Sequence, residues 1–396
     1  MISVEEAVAR VVAAFRPLDG ESVTVAQAAS RVLAQDAVAR VTQPPASISA
    51  MDGYAVRAED VVTAPVDLKV IGTAPAGHPF AGPVGRGEAV RIFTGGVVPD
   101  GTDAIVIQED TEQFSDHVRI AVPSRAGRHI RVMGFDFSAG DVLLRAGKRL
   151  SSRDLALIAA GDLAKIKVRR RASVLIAATG DELSRPGEPR RVGGIVASSV
   201  YGISALIDKW GGAPKDIGIL PDREESISAI ADHARDADLI ITLGGASVGD
   251  HDLVQRALGP KGFELDFWKI AMRPGKPLIF GRLQGTPLLG LPGNPVSAFV
   301  CALLFAKPAM AAMLGETVQT EPIFALLANA LPANDSRQDY LRATLATRDG
   351  EVWAAPLPLQ DSSMQKALAE ADALIVRSPG APAAEIGQSV PVILLE

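Results

Sequence analysis

Four apolar runs between residues 173 and 291 each stop at a turn rich in glycine, proline or carboxylates, and this recurrence restricts the chain more than any other feature. Residues 173–178 (SVLIAA) lead into Thr179-Gly180-Asp181-Glu182-Leu183. Residues 217–220 (IGIL) lead into Pro221-Asp222, ahead of a helical stretch starting near Arg223. Residues 239–243 (LIITL) run into Gly244-Gly245, with Ser247, Gly249, Asp250 and Asp252 following, and residues 287–291 (PLLGL) run into Pro292-Gly293-Asn294-Pro295 before another helix. Short apolar strands alternating with helices build a doubly wound parallel sheet, and its ligand sits where loops gather at the carboxyl ends of the strands. The fold class expected is therefore α/β multidomain with a central doubly wound α/β domain, and the loop carboxylates are expected to converge.

Each loop has a physical reading. A strand that bends at Gly244-Gly245 uses the backbone freedom of glycine, and the freed N–H groups can face an anion. Pro292 and Pro295 fix two φ angles around Gly293 and Asn294, so that the amides opening the next helix can face a phosphate; a purely structural turn fits the same residues. Asp250 fits either a ligand role or a cap on a helix beginning at Asp252. His251, alone between two acids, reads as an exposed residue.

With 396 residues and 47% apolar content, the chain is long enough for about two to four domains with packed cores. Lys plus Arg number 40 against 46 Asp plus Glu, a net charge of −6 with no basic stripe or RNA-type aromatic motif, which argues against nucleic acid as a partner. The basic run at residues 165–171 reads as a solvated linker at a domain joint. The opening MISVEEAVARVV has early acids and no basic n-region, unlike a signal peptide. The most apolar stretch, residues 296–306, is expected to end at Lys307-Pro308, short of a bilayer span. No membrane anchor is visible, and a cytoplasmic location is expected. Cys301 is the only cysteine, which excludes internal disulfides and reads as a core thiol.

Texture divides the chain. Residues 4–15 and 26–35 carry helical spacing of apolar residues. From about 43 to 123, β-like runs at 68–71, 89–93, 104–108 and 118–121 alternate with Gly and Pro clusters. A mixed helical texture returns at 128–165, and strand-like runs at 323–327, 340–346, 352–355 and 374–376 follow the central α/β region. The expected domains are a discontinuous mixed α/β linking region (1–42 plus 124–167), a β-rich lid domain (43–123), the α/β domain (168–320) and a C-terminal small β domain (321–396).

Six motifs, in order, are SAMDGYA (49–55), FTGGVVPDGTDAIV (93–106), TGDEL (179–183), GGASVGDHD (244–252), RPGKP (273–277) and LPGNPVSA (291–298). Across essentially the whole chain they resemble the molybdopterin molybdotransferases, the family that includes the gephyrin E domain. The resemblance implies the last step of molybdenum cofactor assembly: adenylyl-molybdopterin and molybdate become the loaded cofactor with release of AMP. It also implies a central domain that binds molybdopterin, a homodimer with a site shared across the interface, and transient contact with the adenylyltransferase and with molybdoenzyme acceptors.

The chemistry implied suits the residue types. Molybdate, a tetrahedral dianion, needs positive charge and directed N–H donors; Lys276 and Arg273 around Gly275 and Pro277 are the candidates, with Ser247 and loop amides as neutral donors. The resemblance implies lysine at Arg273 in most relatives, so here a planar fork replaces a point charge. Cleaving the bond to AMP calls for a divalent ion held by oxygen ligands, and Mg²⁺ is expected on Glu182, Asp222, Asp250 and Asp252. The catalytic set implied is Asp52, Thr94, Glu182, Asp222 and Asp252, although Asp52-Gly53 taken alone is an ordinary turn signal. Thr179, Gly180, Asp181, Gly244, Gly245, Ser247, Gly249, Pro292, Gly293, Asn294 and Pro295 are expected to cradle the cofactor substrate. From the terminal domain, Arg337 or Arg342 pairs with Ser362 or Ser363, spacing leaving the choice open, and Arg337 and Ser362 head the set. A lone adenylyltransferase would be one compact domain, which the SAMDGYA segment and terminal β region oppose. A carrier or clustering scaffold would normally bring an appended domain. A nucleotide hydrolase lacks support, because no G-x-x-x-x-G-K-[ST] loop occurs.

Overall fold

The computed structural model describes residues 1–245, 253–317 and 323–395, which divide into two compact units. One unit comprises residues 22–29 and 35–167 and holds a six-stranded sheet in the order 104–107, 53–56, 88–92, 66–74, 117–120, 111–114. Its strands alternate between two apolar layers: Tyr54, Val56, Ala89 and Val106 enter one core, and Ala55, Val90 and Ile105 the other. Gly53 starts a strand paired on both sides, and a Cβ there would lie 1.9 Å from the Val106 carbonyl oxygen. The glycine of SAMDGYA therefore serves a close strand approach: the chain bends at Ala50-Met51-Asp52, as the turn signal leads one to expect, and enters a central strand at Gly53.

The second unit comprises residues 1–21, 30–34 and the chain from Val168 onward. Its main sheet is formed by β1 (Ala172–Thr179), β2 (Gly212–Leu220), β3 (Leu239–Leu243), β4 (Phe263–Lys269), β5 (Pro277–Leu283) and β6 (Thr286–Leu291), in the spatial order β2-β1-β3-β6-β5-β4. The first four in that order are parallel, and β5 and β4 add an antiparallel edge the sequence reading did not separate. Both faces are covered, so the central strands read as nearly continuous apolar runs: Val174 and Ile176 face one core, Leu175 and Ala177 the other. The first core is closed by helices α1 (Val4–Ala13), α2 (Ser199–Lys209) and α3 (Pro295–Leu314). Because the connection from β1 turns to β2 and the chain then returns past β1 to β3, the crevice between the ends of β1 and β3 is the topological switch point.

Three expectations are corrected here. Residues 26–35 do not form a helix: Ser30 sits at φ 61°, a left-handed conformation a helix cannot include, and Leu33 bridges Val168 as a strand would. The basic run is not a solvated linker. Lys165–Arg169 is a strand with Val168 buried, Arg169 donates to the Leu18 carbonyl at 2.7 Å, and Arg170 grips Asp238 with two bonds of 2.7 Å. Lys307-Pro308 does not stop α3. A π-helical turn at Ala302–Ala306, with the Lys307 amide reaching Ala302, lets the helix absorb the proline and run on to Leu314. Among the described residues α3 is the one helix long and apolar enough to cross a membrane, and it is a core helix instead, with Val300, Phe305 and Met310 fully buried. Cys301 is buried on it as expected, its thiol pushed up by that burial. In the 128–165 region only Ser152–Ala160 is a regular α-helix.

The terminal strands Ile323–Leu327, Gln338–Arg348, Glu351–Pro356, Ala373–Arg377 and Ser389–Leu394 close on themselves, since Gln338–Arg348 also pairs with Ala373–Arg377. The small β domain is thus a barrel, which leaves no free edge along its closed seam. Met272–Arg273 pairs in parallel with Gln338-Asp339, which fixes the RPGKP loop to the barrel.

Candidate active site

A cavity of about 880 Å³ lies at the switch point of the central sheet, a size suited to a cofactor-sized ligand. Thr179 and Glu182 from the β1 loop, Asp222 from the β2 loop, Gly244 and Gly245 from the β3 loop and Pro292, Gly293, Asn294 and Pro295 from the β6 loop all line it, as does Pro277. The four strand-end loops therefore converge. Ser247, Gly249, Asp250, His251 and Asp252 lie outside the described residues.

Glycine geometry shapes the wall. Gly244 (φ 95°) and Gly245 (φ 69°) are both left-handed, and a Cβ on Gly244 would lie 2.6 Å from the Thr179 carbonyl oxygen. The carboxylate of Glu182 folds back over Gly180, where a Cβ would come within 2.6 Å of it. The Thr179 hydroxyl is buried without a hydrogen-bond partner, packed against the Gly244-Gly245 turn.

No lysine or arginine lines the cavity among the described residues, whereas Glu182 and Asp222 do and Asp181 stands behind them, its carboxylate 3.3 Å from the Asp222 amide. Asp222 keeps solvent contact, yet the cleft removes enough water from its carboxyl, with repulsion from Glu182 and Asp181 added, to push it above its usual range. The sign follows from linkage. A carboxyl raised above its unfolded value of 3.8 favours folding only at pH below that value, and this contribution is lost as pH rises through the raised folded-state value. Asp222→Asn is therefore expected to melt at the wild-type temperature or above it at neutral pH without added divalent cation, the difference narrowing on acidification. Thermal melts across pH check this, and a lower neutral melting temperature would contradict it.

Positive potential comes from backbone. The N-termini of α2 and α3 both open on the cavity, through Ser198, Ser199 and Val200 and through Asn294 and Pro295. The sequence reading missed the first of these, although paired serines ahead of an apolar helical pattern are a start signal. It also missed Ile195 and Gln365 in the wall.

The remaining candidates separate. Lys276 is exposed beside the lining Pro277 and forms no ion pair among the described residues. Gly275 (φ 111°) packs on the thiol of Cys301 and does not reach the cavity. Arg273 does not line the cavity: its guanidinium pairs with both carboxylate oxygens of Asp339, Nε at 3.0 Å. Arg337 donates to Asp335 at 2.9 Å. Arg342 is 1% exposed and braces the 359–364 loop from behind, donating to the carbonyls of Leu359 (3.2 Å) and Met364 (3.3 Å). That loop puts Ser363 in the cavity wall, while the Ser362 hydroxyl accepts from the Asn294 side chain at 3.0 Å and so steadies the PGNP turn. In the other unit, Thr94 donates to Asp52 through its amide (2.7 Å) and hydroxyl (2.8 Å). Those bonds, with Arg91 nearby, hold the exposed Asp52 carboxyl below its usual range.

Among the described residues no three His, Cys, Asp or Glu side chains are grouped to hold a metal by themselves. The described donor set is two carboxylates, Glu182 and Asp222, whose mutual repulsion a hard divalent cation would relieve, and all-oxygen donors suit Mg²⁺.

Comparison with known proteins matches residues 2–161 to the MoeA N-terminal region (domain I and II), 175–312 to a probable molybdopterin binding domain and 325–395 to the MoeA C-terminal region (domain IV). The chain is 34% identical to the molybdopterin molybdenumtransferase of Haemophilus influenzae over 91% of this chain and 90% of that one. It is 33% identical to that of Bacillus subtilis, over 100% and 94%. A crystal structure of the molybdopterin biosynthesis moeA protein from Pyrococcus horikoshii OT3 superposes with a TM-score of 0.83 at 27% identity, covering 100% of both chains.

Proposed function

The chain belongs to the molybdopterin molybdenumtransferase family, and on that premise we propose that its switch-point cavity binds adenylyl-molybdopterin and molybdate and releases AMP as molybdenum enters the pterin. The enzyme is a transferase of molybdenum cofactor biosynthesis. The observation that carries the finer reading is the pairing of an acidic patch, Glu182 and Asp222, with two helix N-termini in one cavity. The helix ends and loop amides bind the substrate phosphates, Thr179 and Ser363 shape the wall around them, and Lys276, exposed beside the lining Pro277, supplies positive charge for the oxyanion. Mg²⁺ would be held by Glu182 and Asp222, with Asp250 and Asp252, and when bound would neutralise charge on the two linked phosphates. Gly180, Asp181, Gly244, Gly245, Ser247, Gly249, Gly275, Pro277, Pro292, Gly293, Asn294 and Pro295 shape the remaining contacts, and Arg273, Arg337 and Ser362 hold that shape from outside the cavity. Cytoplasmic residence and handover to acceptor enzymes belong to the same reading.

The test is AMP release from adenylyl-molybdopterin with and without molybdate and Mg²⁺, with metal incorporation followed in parallel. Molybdate-dependent release with incorporation is the expected result; binding without release would make the protein a carrier. A homodimer is proposed in which Asp52 and Thr94 of one subunit complete the site of the other. Mixing inactive Asp52→Asn with inactive Glu182→Gln subunits then leaves one intact site of the two, so mixed dimers should regain roughly half the activity of the wild type. A site built within one subunit leaves every mixed dimer inactive.

A further inference from the structure

The wall of the switch-point cavity is acidic, yet the ligands proposed for it are anions, a pterin adenylate with two linked phosphates and a small oxyanion. Charges at its mouth therefore bear on how fast such ligands arrive. The β1 loop leaves the wall at Leu183 and returns to it at Ile195 and Val196, the two ends pairing in parallel. Between them, residues 185–194 form an arm that carries Arg190 and Arg191, both exposed. Its foot is fixed: Arg185 reaches Asp216 of β2 at 3.2 Å, and the Glu188 carboxylate turns back to accept from the Arg185 amide at 3.0 Å. Its return keeps Arg191 close to the wall, because the Gly194 amide donates to the Arg191 carbonyl at 2.9 Å while a Cβ on Gly194 would lie 3.2 Å from the carbonyl oxygen of Glu182. On the β2 loop, the exposed Arg223 directly follows the lining Asp222.

Arg10, Arg170, Arg185, Arg256 and Arg273 of the same unit are each paired with a carboxylate. Arg190, Arg191 and Arg223 form no ion pair among the described residues, so each keeps an uncancelled positive charge. We infer that these three arginines are an electrostatic collar that draws the anionic substrate to the cavity mouth and acts on encounter, leaving binding and chemistry to the wall. This rests on the proposed function. Without them, approach would be governed by Asp181, Glu182 and Asp222, all of the ligand's own sign. Of the acids beside the collar, Glu188 is held against its own loop and Glu224 is paired with Arg256, which leaves Glu225 as the exposed carboxylate opposing three guanidinium groups. Charges this exposed hold a small anion weakly and are screened by salt, so their effect falls on the association rate and not on turnover at saturation.

The test is stopped-flow association of adenylyl-molybdopterin with the full chain at saturating Mg²⁺, followed by pterin fluorescence at ionic strengths of about 0.1 and about 1 M, between which the screening length falls from about 10 to about 3 Å. The charge reversals are Arg190→Glu together with Arg191→Glu, and Arg223→Glu alone. Arg235→Glu is the control, an exposed arginine just before β3 and so at the opposite end of the sheet from the cavity. At the lower salt the association rate should fall by about fivefold or more in the double reversal and about twofold in Arg223→Glu, with Arg235→Glu at the wild-type rate. At the higher salt all four proteins should converge. AMP release at saturating substrate should stay at the wild-type rate and melting should be unchanged, because all these side chains are exposed. Should a reversal lower the melting temperature, the neutral pair Arg190→Gln with Arg191→Gln decides by the same criteria. A loss in Arg235→Glu equal to that in Arg223→Glu would make the effect one of net charge and overturn the collar. An unchanged rate in the double reversal at the lower salt overturns it too, as does a loss undiminished at the higher salt, the mark of a direct contact. A wild type that associates with the adenylate but never releases AMP strikes the functional reading instead, and the association rates alone then decide the collar.

Discussion

Replacing Glu182 by Gln, or Asp222 by Asn, is expected to lower molybdenum transfer by about 10²-fold or more while the protein stays folded. Both side chains sit on loops that follow parallel strands, and neither is engaged in an ion pair that holds the fold together among the described residues. Their removal relieves repulsion in the apoprotein, which is why stability should hold or rise while turnover collapses. That opposition is what distinguishes a functional acidic patch from a structural one: structural carboxylates such as Asp238, gripped by Arg170, cost stability when removed. Steady-state rates of AMP release at saturating Mg²⁺, read beside thermal melts, give the check. Rates within about threefold of wild type in both variants, less than the loss of even one hydrogen-bond donor at a transition state, would remove the pair from the mechanism. Gly180→Ala is no substitute for these variants: at φ 151° an L side chain is strained, and the added Cβ also meets the end of Glu182, so stability and rate should fall together.

What could be read from the chain divides along a physical line. Strand-end loops in a parallel sheet announce themselves locally, because an apolar run must stop and the stop must bend; the loops holding Thr179, Asp222, Gly244 and Pro292 were all found that way and do converge. The first half of β2 was not found, because Gly212–Asp216 is an edge segment with Pro214, Lys215 and Asp216 and never shows the doubly buried pattern of β1. Ser198, Ser199 and Gln365 were missed for a different reason. The paired serines do signal a helix start, but that this start and the short Gln365–Ala369 helix reach the cavity is a tertiary fact that no spacing encodes. Likewise the choice between Ser362 and Ser363 turned on the buried Arg342, whose bonds to Leu359 and Met364 set how the loop presents each hydroxyl. Arginine spacing could not distinguish a guanidinium that faces a ligand from one that braces the backbone behind it.

Arg273 shows that distinction most sharply, and Arg273→Ala is expected to destabilise the protein by about 2–4 kcal/mol, somewhat less than the loss of a fully buried pair because Arg273 itself is 49% exposed. Its partner is the reason. Asp339 has a side chain only 6% exposed on the first long strand of the barrel, and without the guanidinium fork its carboxylate stays buried with nothing of opposite charge against it. The same contact joins the Met272–Arg273 strand to Gln338-Asp339, so the RPGKP turn that carries Lys276 and Pro277 loses its anchor. A lysine here keeps the charge but offers one point contact in place of two parallel N–H bonds, so Arg273→Lys should fall between wild type and alanine. The cycle closes with Asp339→Asn: in the Arg273→Ala background that change should recover part of the lost stability, since it removes the stranded charge, whereas alone it should destabilise. Denaturant unfolding of the four proteins measures the coupling. A coupling near zero, with Arg273→Ala as stable as wild type but unable to retain molybdate, would return the arginine to the oxyanion and make its bond to Asp339 a resting state.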